Sequence, residues 1–238
     1  MDLKGKRVIV IGGSSGIGRA VSQQASELGA EVILTGLSTG HAEQTAAEIG
    51  SNVVGKQLDI NDESLVTAFF NSIEDIDHIF IAAGSTKLGA VTEGSLEENM
   101  RAFDTRILGS LRVVRAAVDK MNPHGSIIFT GGISTDRPIS GAWVSGLATS
   151  TAEQLARVLV RELPEIRFNA IAPGYTDTPM WDKILGENKE QVLSEVAESL
   201  PVRKIASPEE VASAVIFLMS NHSVTGEVIH IDGGGRLV

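Results

Sequence analysis

The segment Gly12-Gly13-Ser14-Ser15-Gly16-Ile17-Gly18 constrains this chain more than any other, because of what stands on either side of it. Arg7 to Ile11 is a β-branched run, and Ile17, Ala20, Val21, Ala25 and Leu28 then recur at helical spacing. A strand that turns through glycines into a helix points the helix's unpaired N–H groups and positive dipole end at the turn, where phosphate binds. Outside such a context a glycine string is only a turn. Within it, Gly12, Gly16 and Gly18 stand where the chain must turn tightly, admit a pyrophosphate to the backbone and pack a helix on a sheet. The Ser14 and Ser15 hydroxyls add donors.

The alternation continues along the chain. Strands are expected at 31–35, 53–58, 78–82, 126–130, 167–171 and 228–231, and helices near 41–49, 63–73, 96–121, 142–163 and 208–219, with 173–200 irregular. Strands alternating with helices of this length imply right-handed crossovers. The fold expected is α/β: one domain, 1–238, a doubly wound parallel sheet of Rossmann-like type with helices on both faces. Ligands of such sheets sit beyond the carboxyl ends of the strands.

Composition narrows the partners. A net charge of -10 and a pI near 5.0 oppose a phosphate-backbone partner, and Lys4, Lys6 and Arg7 read as a solvated strand edge. With no cysteine there are no disulfides, thiolate metal sites or thiol nucleophiles. His41, His78, His124, His222 and His230 have no metal-ligand spacing to one another, so no metal is expected. Surface or turn positions are expected for four of them and an outward strand position for His230. No apolar stretch approaches the ~20 residues of a membrane helix, and no extended apolar leader opens the chain. A cytoplasmic protein with a small-molecule substrate, no nucleic acid and no membrane partner is the expectation.

With its spacing of Gly, three residues, Gly, one residue, Gly, the chain resembles the short-chain dehydrogenase/reductase family. Leu58-Asp59-Ile60, Ala82-Ala83-Gly84, Pro173-Gly174-Tyr175-Thr176-Asp177-Thr178 and Ile229-His230-Ile231-Asp232-Gly233-Gly234 match later family segments in order. The resemblance implies a nicotinamide dinucleotide on the glycine loop, with Asp59 and Ile60 flanking adenine. Ala83 and Gly84 would lie along the ribose, and Pro173, Gly174 and Thr178 by the nicotinamide carboxamide. It also implies a homo-oligomer, tetramer or dimer, and a substrate lid at 177–200. For Asp59 a helix N-cap or turn role is the alternative, and Trp181 in the lid is either a packing residue or a substrate contact. At the end of the second strand, Gly36-Leu37-Ser38-Thr39 offers no carboxylate to a ribose 2′-OH. That absence, the Ser38 and Thr39 hydroxyls and nearby Arg19 lean toward NADP(H) over NAD(H).

The family usually reduces carbonyls with a Tyr as proton donor and a Lys one helical turn later, aided by a Ser and an Asn. Here those positions fall on Ser145, Thr149, Gly132 and Arg106, and none of Val144, Gly146, Ala148 or Ser150 beside them restores the chemistry. The sole tyrosine, Tyr175, lies in the Pro-Gly segment. Ser145, Gly146 and Ala148 suit close helix packing. Arg106, the candidate catalytic residue, would bind a carboxylate or stabilise an oxyanion, unless a salt bridge to Asp104, Asp136 or Glu153 claims it. Ser134, Asp136 and Arg137 would line the same site. Three readings follow: an NAD(P)(H)-dependent oxidoreductase of this type acting on a small carbonyl or alcohol by a non-standard proton route, an inactive dinucleotide-binding regulatory or structural partner, or a lyase or isomerase on the same fold.

Overall fold

In the computed structural model, which describes residues 2–84 and 88–238 (Ala102 in its backbone only), the chain is a single seven-stranded parallel sheet flanked by helices. The strands are β1 (Arg7–Ile11), β2 (Glu31–Gly36), β3 (Val53–Gln57), β4 (Ile76–Ile81), β5 (Met121–Thr130), β6 (Arg167–Pro173) and β7 (Val228–Ile231), in the order β3-β2-β1-β4-β5-β6-β7. Every pairing is parallel, with Ile9 opposite Ile33 on one side and Ile79 on the other. The helices are α1 (Gly16–Glu27), α2 (Thr39–Ile49), α3 (Glu63–Asn71), α4 (Leu96–Asp104), α5 (Ser110–Ala117), α6 (Trp143–Glu162), α7 (Met180–Leu185), α8 (Lys189–Ser199) and α9 (Pro208–Ser220).

The period of a strand divides these apolar residues between two cores. Ile9, Ile11, Ile79, Ile81, Ile127 and Phe129 point to α3, α5 and α6. Val8, Val10, Val32, Leu34, Phe80 and Ile128 point to α1, α2 and α9. A sheet buried on both faces is why these strands read as continuous apolar runs rather than alternating ones. Strand order reverses between β1 and β4, so the loops that follow those two strands diverge and open a crevice at their carboxyl ends.

Three expectations about the elements need correction. The helix expected over 96–121 is α4, a π-helical turn at Thr105–Gly109 and α5, and it gives way to a 3-10 turn at Val118–Lys120 before β5 begins at Met121. Gly109 lets this rod press on the loop after β3, since a Cβ there would lie 2.7 Å from Ile60 Cδ1. The segment expected to be irregular up to Leu200 contains α7 and α8, too short and too polar to show a clear stripe. His78 is not at the surface: it is 3% exposed within β4, and its Nδ1 lies 2.9 Å from Ser126 Oγ. Burial drives its pKa down to about 3, so the imidazole is neutral. No described helix is long and apolar enough to cross a membrane.

Candidate functional site

The glycine loop is tight enough to explain its own composition. Gly12 has φ +80° and lies against the backbone of Ala83, two residues past β4 on the other side of the crevice. A Cβ on Gly18 would fall 2.1 Å from the Gly12 carbonyl oxygen, so only hydrogen fits. At Gly16, φ is +51° and an added Cβ would touch the Thr178 methyl at 3.3 Å. Ser15 caps α1 without a side-chain hydrogen bond, and no acidic residue sits in the first turn. The N–H groups that open α1 are thus left for an anion, and the cradle fits the pyrophosphate of a dinucleotide.

Residues expected on the adenosine side lie at the ends of β2 and β3. Gly36 ends β2 beneath Ser14, whose Oγ would be 2.7 Å from a Cβ there. Ser38 precedes α2, exposed and without a side-chain cap bond, whereas the Thr39 hydroxyl is committed to Gln57. Arg19 reaches α2 and pairs with Glu48 at 3.5 Å, both half-exposed. Asp59 closes the loop after β3 by accepting from the Asn61 backbone and side chain. It is a turn residue and not the helix cap, a role taken by Asp62. Ile60 is buried under Gly109.

Among the residues expected on the nicotinamide side, Ala83 donates its N–H to the Ile11 carbonyl and Gly84 lies beside the Arg106 guanidinium, which a Cβ would meet at 2.8 Å. Residues 85–87 of the adjoining loop are outside the described set. Pro173 ends β6, and Gly174 packs against the Asp232 backbone. Thr178 is 8% exposed and faces the start of α1, so β6 delivers it to the glycine loop from the far side of the crevice. Tyr175 stacks on Trp181 with ring centroids 4.9 Å apart, and the indole N–H donates to the Thr176 carbonyl. Trp181 is therefore a packing residue that ties α7 to the Pro-Gly segment. The span 177–200 is sparsely packed: Lys189 bridges Asp177 and Asp182, and only Thr178, Leu193 and Leu200 are buried in it.

Arg106 projects from the π-helical turn, a distortion that often marks functional positions in helices. Its Nη1 donates to the Thr130 carbonyl at the end of β5, while its Nε is buried without a partner. No carboxylate among the described residues lies within ion-pair distance, so the salt bridge to Asp104, Asp136 or Glu153 is not formed. Burial lowers its pKa to about 10, which leaves it charged at neutral pH. Asp136 instead meets His230 Nε2 at 2.9 Å, and Arg137 donates to the Gly235 carbonyl, so both fasten the loop after β5 to the carboxyl-terminal segment.

Ser145 and Thr149 occupy successive turns of α6, with Gly132 packed against the Thr149 methyl. Gly146 and Ala148 provide close packing: a Cβ at Gly146 would meet the Ser134 carbonyl at 3.2 Å, and Ala148 is 1% exposed. One turn after Thr149 comes Glu153, which the sequence offers only as a partner for Arg106. Glu153 is 3% exposed, and its Oε1 accepts from the Gly132 N–H at 3.1 Å and from the Thr135 hydroxyl at 2.8 Å. Burial raises its pKa against those two bonds, with Asp136 adding to the rise. Its signal in the sequence is faint: a carboxylate falling among Ala148, Ala152 and Ala156 on the buried face of a helix.

Comparison with known proteins agrees with this architecture. Residues 11–235 match the family profile described as enoyl-(acyl carrier protein) reductase. A short-chain dehydrogenase/reductase of Stachybotrys chlorohalonatus is 30% identical over 99% of this chain and 98% of its own length. A 3-oxoacyl-[acyl-carrier-protein] reductase of Aquifex aeolicus is 31% identical over 98% of each. Among solved structures, a short chain dehydrogenase/reductase family protein superposes with TM-score 0.90 at 31% identity over the whole of both chains. A small-chain dehydrogenase in complex with NADPH superposes with TM-score 0.86 at 27% identity over 99% of this chain and 100% of that one. With the glycine cradle, the strand order and similarity along nearly its whole length, the chain belongs to the short-chain dehydrogenase/reductase family of oxidoreductases.

Proposed function

We propose that the chain transfers hydride between a nicotinamide dinucleotide, NADP(H) in preference to NAD(H), and a small carbonyl or alcohol, by a proton route that does not use a Tyr–Lys pair. The observation that carries the reading is Arg106, a charged guanidinium with no counter-ion among the described residues, placed beside Gly84 and Thr130 at the carboxyl ends of β4 and β5. A buried cation that meets a carbonyl rather than a carboxylate keeps its charge unneutralised, and such groups concentrate where charge develops during a reaction. The open N–H groups of α1 would bind the pyrophosphate, and Thr178 would orient the nicotinamide end from across the crevice. When bound, the dinucleotide supplies or accepts the hydride. Arg106 would then stabilise negative charge as it gathers on the carbonyl oxygen. The lean to NADP(H) rests on the absence of a carboxylate at Gly36–Ser38 and on Arg19, and the NADPH complex of a relative supports it.

A second reading, a dinucleotide-binding partner protein without turnover, is favoured by one fact: Ser145, Thr149 and Gly132 present no ionisable group where the family usually has one. Titrating the protein with NADPH and NADH by nicotinamide fluorescence, then following oxidation across a carbonyl panel, separates the two. Binding with turnover on one class of carbonyl supports the oxidoreductase. Tight binding without turnover on any of them supports the partner protein.

A further inference from the structure

Behind the loop after β5 lies a buried carboxyl that a packing role leaves unexplained. Glu153 Oε1, the Thr135 hydroxyl and the Thr149 hydroxyl form a continuous chain, with 2.8 Å between the first two and 3.1 Å between the second. Glu153 and Thr149 are buried, whereas Thr135, in a 3-10 turn just past β5, is half-exposed at the crevice end of the sheet. We infer that Glu153 is the proton reservoir of the site and that the Thr135 hydroxyl passes its proton to the substrate oxygen, in place of the absent Tyr–Lys pair. This rests on the oxidoreductase reading above.

Gly131 and Gly132 are what admit the carboxyl. A Cβ on Gly131 would fall 2.4 Å from Glu153 Oε1, and the Gly132 N–H is one of the two donors to that oxygen. The backbone therefore stabilises the carboxylate without neutralising it. Hydroxyls suit the relay because each can donate and accept at once. With Glu153 ionised, Thr135 donates to it and accepts from Thr149; with Glu153 protonated, the acid donates to Thr135, whose own hydrogen is then released to Thr149 or to an oxygen in the crevice. Thr149 has an alternative acceptor in the Ser145 carbonyl, 2.9 Å away, so it can follow either state.

The charges around the carboxyl do not cancel it. Asp136, after the 3-10 turn, and His230, on β7, act on it in opposite senses. Arg106, on the π-helical turn packed against α6, is held by Thr130 on the other side of Gly131 and makes no ion pair with it. Of the remaining elements on α6, α4 carries Glu97, Glu98, Arg101 and Asp104, while β5 carries His124 and β6 Arg167, both at the far end of the sheet. Burial favours the neutral acid, so Glu153 keeps its proton to higher pH than an exposed glutamate.

In the reduction direction a bound reduced dinucleotide would supply the hydride to the carbonyl carbon and be oxidised, leaving the former carbonyl π pair on oxygen. That oxygen takes the Thr135 proton as Thr135 takes one from Glu153. The carboxylate left behind accepts from Gly132 and Thr135 and regains a proton from solvent before the next turnover. Oxidation runs the same steps in reverse, with Glu153 as the final base.

Glu153→Gln tests this, because the amide keeps the shape and an acceptor oxygen for Gly132 and Thr135. The expected result is a loss of about 10²-fold or more in kcat for reduction, with NADPH affinity and melting temperature unchanged. The alkaline limb of the wild-type pH profile should also disappear. Thr135→Val should lose rate comparably, while Glu153, followed by carboxyl carbon NMR, still titrates above the ordinary glutamate range. An unaltered rate and pH profile in Glu153→Gln would overturn the inference, as would an ordinary Glu153 titration in the wild-type protein. Absence of wild-type turnover on every carbonyl would instead remove the oxidoreductase reading, and the relay with it.

Discussion

Replacing Arg106 by Met separates a catalytic guanidinium from a structural one, because the two roles predict opposite balances of stability and rate. Burial takes the Arg106 pKa from 12.5 to about 10, which corresponds to roughly 3 kcal/mol against the charged form. Opposing this is one charge-assisted hydrogen bond to the Thr130 carbonyl, typically worth about 1.5–3 kcal/mol. The two nearly cancel. Arg106→Met, which retains an apolar stem of similar length, should change the unfolding free energy by less than about 2 kcal/mol, a shift of a few degrees in Tm. Breaking a buried ion pair would cost about 3–5 kcal/mol. Against that small change in stability, kcat/KM should fall about 10²–10³-fold, the range seen when a donor to a developing oxyanion is removed. Dinucleotide affinity should be unaffected, since the α1 terminus and Thr178 are untouched. Guanidinium denaturation, nicotinamide fluorescence and steady-state kinetics on one preparation measure all three. A loss of stability above about 3 kcal/mol would assign Arg106 to the scaffold, and an unchanged kcat/KM would remove it from the site.

Arg19→Ala should weaken NADPH binding and leave NADH binding alone, because only the former presents a 2′-phosphate; an equal effect on both would end the case for an NADP(H) preference. His78 makes stability depend on pH. Its folded pKa of about 3 lies below the ordinary 6.5, so the unfolded chain binds more protons, and stability should fall by about 1.4 kcal/mol per pH unit below pH 6.5. Because that slope is reached only gradually below pH 6.5, the unfolding free energy should drop by about 2 kcal/mol between pH 7 and 5 in the wild type and by less in His78→Asn; equal drops would refute the assignment. Leu108 in the π-helical turn and Leu147 and Val158 on α6 are each 45–50% exposed, and a homo-oligomer that covers them is expected; a monomer by light scattering would contradict it.

Much of the fold was legible because its signals are local. A β-branched strand, its glycines and the amphipathic stretch that follows lie within about one βα unit, where a side-chain period reports directly which face is buried. The cradle followed from the same stretch: at Gly18 the contact that excludes a Cβ is with Gly12, a close neighbour in the chain. Boundaries were less secure where helix and strand meet, as at Met121, because the intervening turns have no period of their own. His78 misled because a polar residue in an apolar strand looks like an edge, and its partner Ser126 belongs to another strand.

By itself the sequence determined the doubly wound sheet, the glycine turn from β1 into α1 and the placing of its sole tyrosine in the Pro-Gly segment, since each is a matter of residue type, spacing and period. Only the tertiary structure decided what the charged residues do. Whether Arg106 finds a carboxylate depends on how β5 and α6 pack, and they leave it a carbonyl instead. That Glu153 reaches Gly132 and Thr135 depends on two glycines that contact it across α6 and the loop after β5. Electrostatic roles are set by distance and burial, and the neighbours that fix both are brought together only when the chain has folded.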